Sequence, residues 1–128
     1  MEKMQNDESL PLRSAANNLV FGEGNPDASL LFIGEGPGFW EDKKGRPFVG
    51  NAGLLLNQLL SSIKLERKQG FELGDPKTEV FITNIIHFRP PNNRDPEDSE
   101  IKAFESYLDK IIDIINPRII VTLGRFSM

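Results

Sequence analysis

The chain has 128 residues, with 15 Lys plus Arg against 19 Asp plus Glu, one His, no Cys and a formal net charge of −4. That length suits one domain, and 38% hydrophobic with 27% charged residues is ordinary for a globular protein. Zero Cys excludes a disulfide scaffold, thiolate zinc sites, a Cys nucleophile and an ordinary Cys-ligated iron–sulfur cluster, and a single His excludes poly-His metal sites. The acidic balance argues against non-specific coating of nucleic acid, though not against a local basic patch. No apolar run approaches the roughly 20 residues that cross a bilayer, and the stretch from Met1 to Arg13 has no signal-peptide apolar core. The expectation is a cytoplasmic protein, monomeric, with no membrane partner.

In chain order, residues 1–18 are polar and weakly periodic, a short helix or an ordered arm. Ser29–Gly34 is an apolar run closed by glycine. Leu54, Leu55, Leu59, Leu60 and Ile63 mark the apolar face of a helix starting near Asn51. Residues 66–79 form a charged surface connection. Val80–Ile86 is a second apolar run, rich in β-branched residues, and Arg118–Gly124 is a third. Runs this apolar predict strands buried on both faces, as in parallel sheets. Between them, Ile101, Phe104, Leu108, Ile111, Ile112 and Ile115 predict a helix from about Glu97 to Asn116. Strands alternating with helices predict an α/β fold, a three-layer sandwich with a mainly parallel central sheet.

Ligands of such sheets gather at the carboxyl ends of the strands. Those ends carry Gly34-Glu-Gly-Pro-Gly38, then His87-Phe-Arg-Pro-Pro-Asn-Asn-Arg94, then Gly124-Arg125. The glycine turn is neither GxGxxG nor a Walker loop, because no GK[ST] follows. It lets backbone approach a flat ligand closely, or it is simply a tight turn. Phe48, between Pro47 and a glycine-flanked helix start, is either a pocket wall for a planar base or a core aromatic. Asn84, near the end of a buried strand, needs a partner. Its carboxamide suits the edge of a pyrimidine, or it ties down a neighbouring loop. Arg89 and Arg94 bracket a proline-stiffened loop that suits a phosphate backbone, or else a solvated loop. His87 either touches substrate or packs in the core.

Taken together the segments are specific: FGEGN, a strand, GEGPG, ED, GRPFVGNAG, a leucine-rich helix, VFITNIIHFRPPNNRDPE, an acidic helix and IIVTLG. GEGPG with PFVGNAG and TN-x4-RPP-x-NR resembles the family 4 uracil-DNA glycosylases, the iron–sulfur class, from about Asp7 to Gly124. The resemblance implies removal of uracil from DNA by hydrolysis of its N-glycosidic bond. It places Gly36 against the uracil ring, Glu35 and Glu41 as catalytic carboxylates near the base and the attacking water, Phe48 stacked on uracil, and Asn84 reading its edge. Arg89 and Arg94 are then DNA-backbone contacts and uracil-containing DNA is the partner. Two departures accompany it. The family's four cluster cysteines fall on Asp7, Leu10, Phe88 and Phe104, so no cofactor is predicted, and Phe88 and Phe104 are expected to fill the vacated volume. The family also continues past the third strand to a His-Pro-Ser type motif, so 1–128 reads as one glycosylase-like domain truncated at its C-terminus. The competing expectations are a non-catalytic module that keeps the fold with residual base or DNA binding, and a nucleotide-binding α/β protein that uses the glycine turn for phosphate.

Overall fold

A computed structural model describes residues 2–62 and 80–124, which leaves the expected surface connection at 66–79, Ile63 and Arg125 outside the described residues. The elements are α1 (Glu2–Asn6), β1 (Glu23–Gly24), β2 (Leu30–Gly34), α2 (Phe39–Lys44), α3 (Asn51–Ser62), β3 (Val80–Asn84), a 3-10 turn (Pro91–Asn93), α4 (Asp98–Ile115) and β4 (Ile119–Thr122). The sheet runs β1-β3-β2-β4. β2 pairs in parallel with both β3 and β4, and β1 pairs antiparallel with β3. The fold is the expected α/β sandwich.

Side chains alternate across the sheet with period two, and each face has its own cover. On one face Leu31, Ile33, Phe81 and Ile85 pack with Phe104, Ile111 and Ile115 of α4 and with Met4 and Leu10 of the N-terminal arm. On the other, Phe32, Val80 and Ile82 pack with Leu56 and Leu60 of α3. α4 begins at a capping box, in which the Glu100 side chain accepts from the Glu97 N–H, and ends where Asn116 turns left-handed (φ 48).

Two expectations are corrected. α3 does not bury the stripe through Leu54, Leu55 and Leu59, which are 58%, 57% and 55% exposed. Of the expected face it buries Leu60, together with Gly53 and Leu56. The reason is backbone proximity: a Cβ on Gly53 would overlap the Phe48 carbonyl, so the face containing this glycine is the one that can close on the loop before it. β4 is not buried on both faces either. It is an edge strand with Ile119 and Ile120 56% and 45% exposed, because β2 pairs with it on one side and no described strand pairs with it on the other. No described helix is long and apolar enough to cross a membrane.

The corrected α3 face gives a direct test. Leu56→Ala should cost about 2–5 kcal/mol in urea unfolding, whereas Leu55→Ala should stay within about 0.5 kcal/mol.

Candidate active site

The chain leaves β2 for β3 on one side and later reaches β4 on the other, so β2 ends at the switch point of the sheet. Crevices open at such points. Parallel pairing continues past the strand end: Ile85 N–H donates to the Gly34 carbonyl at 2.9 Å and Ile86 N–H to the Glu35 carbonyl at 3.3 Å. The start of the glycine turn is thereby fixed against β3, with Asn84 directly beside Gly34.

Gly34 is where the two expected base-recognition groups meet. A Cβ there would lie 2.5 Å from Phe48 Cζ and 2.5 Å from Asn84 Oδ1. Ring and carboxamide therefore converge on one point, and any side chain at position 34 would displace them. Asn84 is 2% exposed. Phe48 adopts φ 52, the left-handed region that a bulky residue occupies only when its surroundings enforce it.

Glu41 holds the two residues that follow Phe48. Its Oε2 accepts from the N–H groups of Val49 at 2.8 Å and Gly50 at 2.7 Å, while Oε1 accepts from Gly38 N–H at 3.0 Å. One carboxylate thus ties the glycine turn to the loop that carries Phe48. The next residue does a related job: buried Asp42 accepts from Asn17 N–H at 2.8 Å, Asn18 N–H at 3.1 Å and Asn17 Nδ2 at 2.9 Å, fixing the end of the N-terminal arm. The resemblance gave Glu41 a place near the attacking water and gave Asp42 none; the hold of both carboxylates on backbone N–H groups is an architectural use that the structure adds. The three-residue spacing from Gly38 to Glu41, which is that of a capping box, is the signal that points to it.

A cleft of about 260 Å³ opens between the glycine turn and the loop after β3. Glu35, Gly36, Glu41, Asn93, Arg94 and Asp95 are among its lining residues. Phe48 and Asn84 lie outside that lining, at the Gly34 end of the turn. Glu35 also packs against Gly124 at the end of β4, where a Cβ would strike its carboxylate. Arg94 is engaged: both terminal nitrogens donate to the Glu100 carboxylate at 2.8 Å, which holds the Glu100 carboxyl below the usual carboxylate range. Arg89 donates from Nε to Asn93 Oδ1 at 2.8 Å and lies over the Phe39 ring.

His87 belongs to the core. It is fully buried between Phe21 and Phe104, with ring centroids 6.2 and 5.5 Å away. Thr83 Oγ1 donates to the Phe21 carbonyl at 2.7 Å, so it accepts from His87 Nε2–H at 3.1 Å. Nδ1 is then a bare acceptor without a partner. Burial pushes the pKa of this imidazole down to about 3.

The class defined by these features is an α/β sandwich with a cleft at the carboxyl ends of its parallel strands. Sequence comparison makes it specific: the uracil DNA glycosylase superfamily matches residues 21–128, and the chain belongs to that superfamily. The type-4 uracil-DNA glycosylase of Sulfurisphaera tokodaii is 56% identical over 110 residues, covering 86% of this chain and 46% of that protein. That of Saccharolobus solfataricus is 52% identical over 110 residues, covering 86% and 47%. That of Thermotoga maritima is 45% identical over 127 residues, covering 99% and 61%. The chain thus spans about half the length of these relatives.

The four positions that the resemblance gives to cluster ligands do not fit an iron–sulfur cluster. Leu10, Phe88 and Phe104 are buried hydrocarbon side chains of one core, and the two phenyl rings pack with centroids 6.1 Å apart. Asp7 is occupied: its carboxylate accepts from Ser9 and, at 2.7 Å, from the Tyr107 hydroxyl, and these bonds hold it below the usual carboxylate range. Among the described residues no group of three or more His, Asp or Glu is placed to hold a metal.

His87 yields a pH prediction. Its folded-state pKa of about 3 lies below the ordinary 6.5, so the unfolded chain takes the extra proton between those values. The stability contribution of the neutral imidazole is complete above pH 6.5 and declines as pH falls toward 3. Urea unfolding across that range should show the native chain losing stability faster than His87→Leu, with a difference slope approaching about 1.4 kcal/mol per pH unit.

Proposed function

We propose that the chain hydrolyses the N-glycosidic bond of uracil in DNA. The observation that carries this reading is the meeting of the Phe48 ring and the Asn84 carboxamide over the bare Cα of Gly34. A base attacked at its sugar bond must first leave the helix stack. Once extruded, it needs a flat apolar wall and a fixed hydrogen-bonding edge. Phe48 supplies the first and Asn84 the second. In the orientation that donates to the uracil O4 and accepts from N3–H, the carboxamide faces the cytosine amino group donor-to-donor. Cytosine is refused because polar groups would be buried unpaired.

Cleavage leaves the electron pair of the C1′–N1 bond on uracil and positive charge on the sugar. Gly36 N–H donates to the developing anion, and the Glu35 carboxylate steadies the sugar cation and orients the water whose oxygen bonds to C1′. One proton of that water neutralises the departing base. Glu41 acts as a positioning residue, since its oxygens are engaged by three backbone N–H groups. Arg89 is the stronger candidate for a DNA phosphate, because both terminal nitrogens of Arg94 already hold Glu100.

The engagement of Glu41 also favours a second reading, a base-binding module without chemistry. The two separate in a uracil-release assay on a single strand. The enzyme reading expects free uracil from the native chain, and a loss on the order of 100-fold in Asn84→Ala and in Phe48→Ala. A native chain that binds uracil-bearing DNA but releases no base supports the module instead.

A further inference from the structure

The first two residues of α2 follow directly on the glycine turn, and both are large, aromatic and open to solvent: Phe39 is 48% exposed and Trp40 51%. Lone exposed hydrophobes are common, but an adjacent aromatic pair beside a cleft is a patch with a shape. The two rings brace each other edge-to-face, with centroids 5.1 Å apart and planes at 89°. Each also carries a cation. Lys43 Nζ lies 5.4 Å from the Trp40 ring centre, one helical turn along α2. The Arg89 guanidinium lies 5.4 Å from the Phe39 ring, reaching across from the loop after β3. Its bond to Asn93, a cleft residue, holds that guanidinium at the cleft rim.

The two acids of α2 are turned to other uses. Glu41 is spent on backbone N–H groups and Asp42 is buried against the arm. Lys44 adds a second exposed lysine to the end of the helix. On a chain of net charge −4, this is a local basic and aromatic face. Stacking rings interleaved with cations are the chemistry of single-stranded nucleic acid, whose bases offer π-faces and whose linkages offer phosphates.

We propose that Phe39 and Trp40 form a stacking platform for the bases that flank the extruded nucleotide, with Lys43 and Arg89 meeting the adjoining phosphates. The platform rests on the DNA reading above and adds a sequence-tolerant grip on the strand outside the base pocket.

Trp40 is the one tryptophan of the chain, so its emission reports stacking directly. A short single strand of thymidylates, labelled for anisotropy, is titrated with the native chain. Trp40 emission should be quenched as the strand binds. An abasic strand of the same length should bind more weakly and leave the emission unchanged. Phe39→Ala, which keeps the fluorophore, and Trp40→Ala should each weaken thymidylate binding about tenfold. Unchanged emission on a strand that binds overturns the platform and leaves the DNA reading standing, as does native affinity in both alanine variants. No binding in anisotropy overturns both.

Discussion

The site depends on one absent side chain. Gly34 ends the central strand at the point where the sheet changes direction, and its bare Cα is the shared floor under a phenyl ring and a carboxamide. The two groups come from different places: Asn84 from the neighbouring strand in register, Phe48 from a loop that must double back over the strand end. The register holds the first. The second is held in a left-handed backbone conformation, which costs of order 1–3 kcal/mol and has to be offset by its surroundings.

Glu41 provides part of that offset, and other acidic residues fix loops elsewhere in the same way. Glu41 gathers three N–H groups from two loops, Asp42 gathers the end of the arm, and Glu100 anchors Arg94 at the start of α4. A carboxylate that accepts several N–H groups satisfies donors that a buried loop would otherwise leave unpaired. Part of the net negative charge is therefore internal architecture. This explains how an acidic chain presents a basic, aromatic face beside its cleft. In the core between the sheet and α4, Leu10, Phe88 and Phe104 form hydrocarbon packing at positions that the resemblance gives to cluster ligands.

Much of the fold was legible in the sequence because hydrophobic periodicity carries it. β2, β3 and α4 appear where their apolar patterns put them, and α4 buries the stripe its spacing specifies. α3 was misread because its leucines cover much of the helix surface, so periodicity alone cannot choose a face; the choice is made by Gly53, through contact with a loop distant from the pattern's logic. β4 looked buried because edge position is a property of topology and not of composition. At the site, Phe48 and Asn84 were legible as residue types with a use, and only the family resemblance implied their convergence, since the strand register and the positive φ that produce it leave no mark in the residue pattern. The role of Glu41 was hidden because its partners are backbone groups, which leave no mark on side-chain chemistry. Trp40 and Phe39 stand out in the sequence only once the turn before them is known to line a cleft.

In the function we propose, ring and carboxamide recognise one planar pyrimidine together. Titrating free uracil into isotope-labelled chain, while following the Phe48 ring and the Asn84 side-chain amide by NMR, tests it most directly. Saturable shifts of both sets of resonances are expected with uracil and none with cytosine. Silence of both groups at saturating uracil, or equal shifts with cytosine, would contradict it.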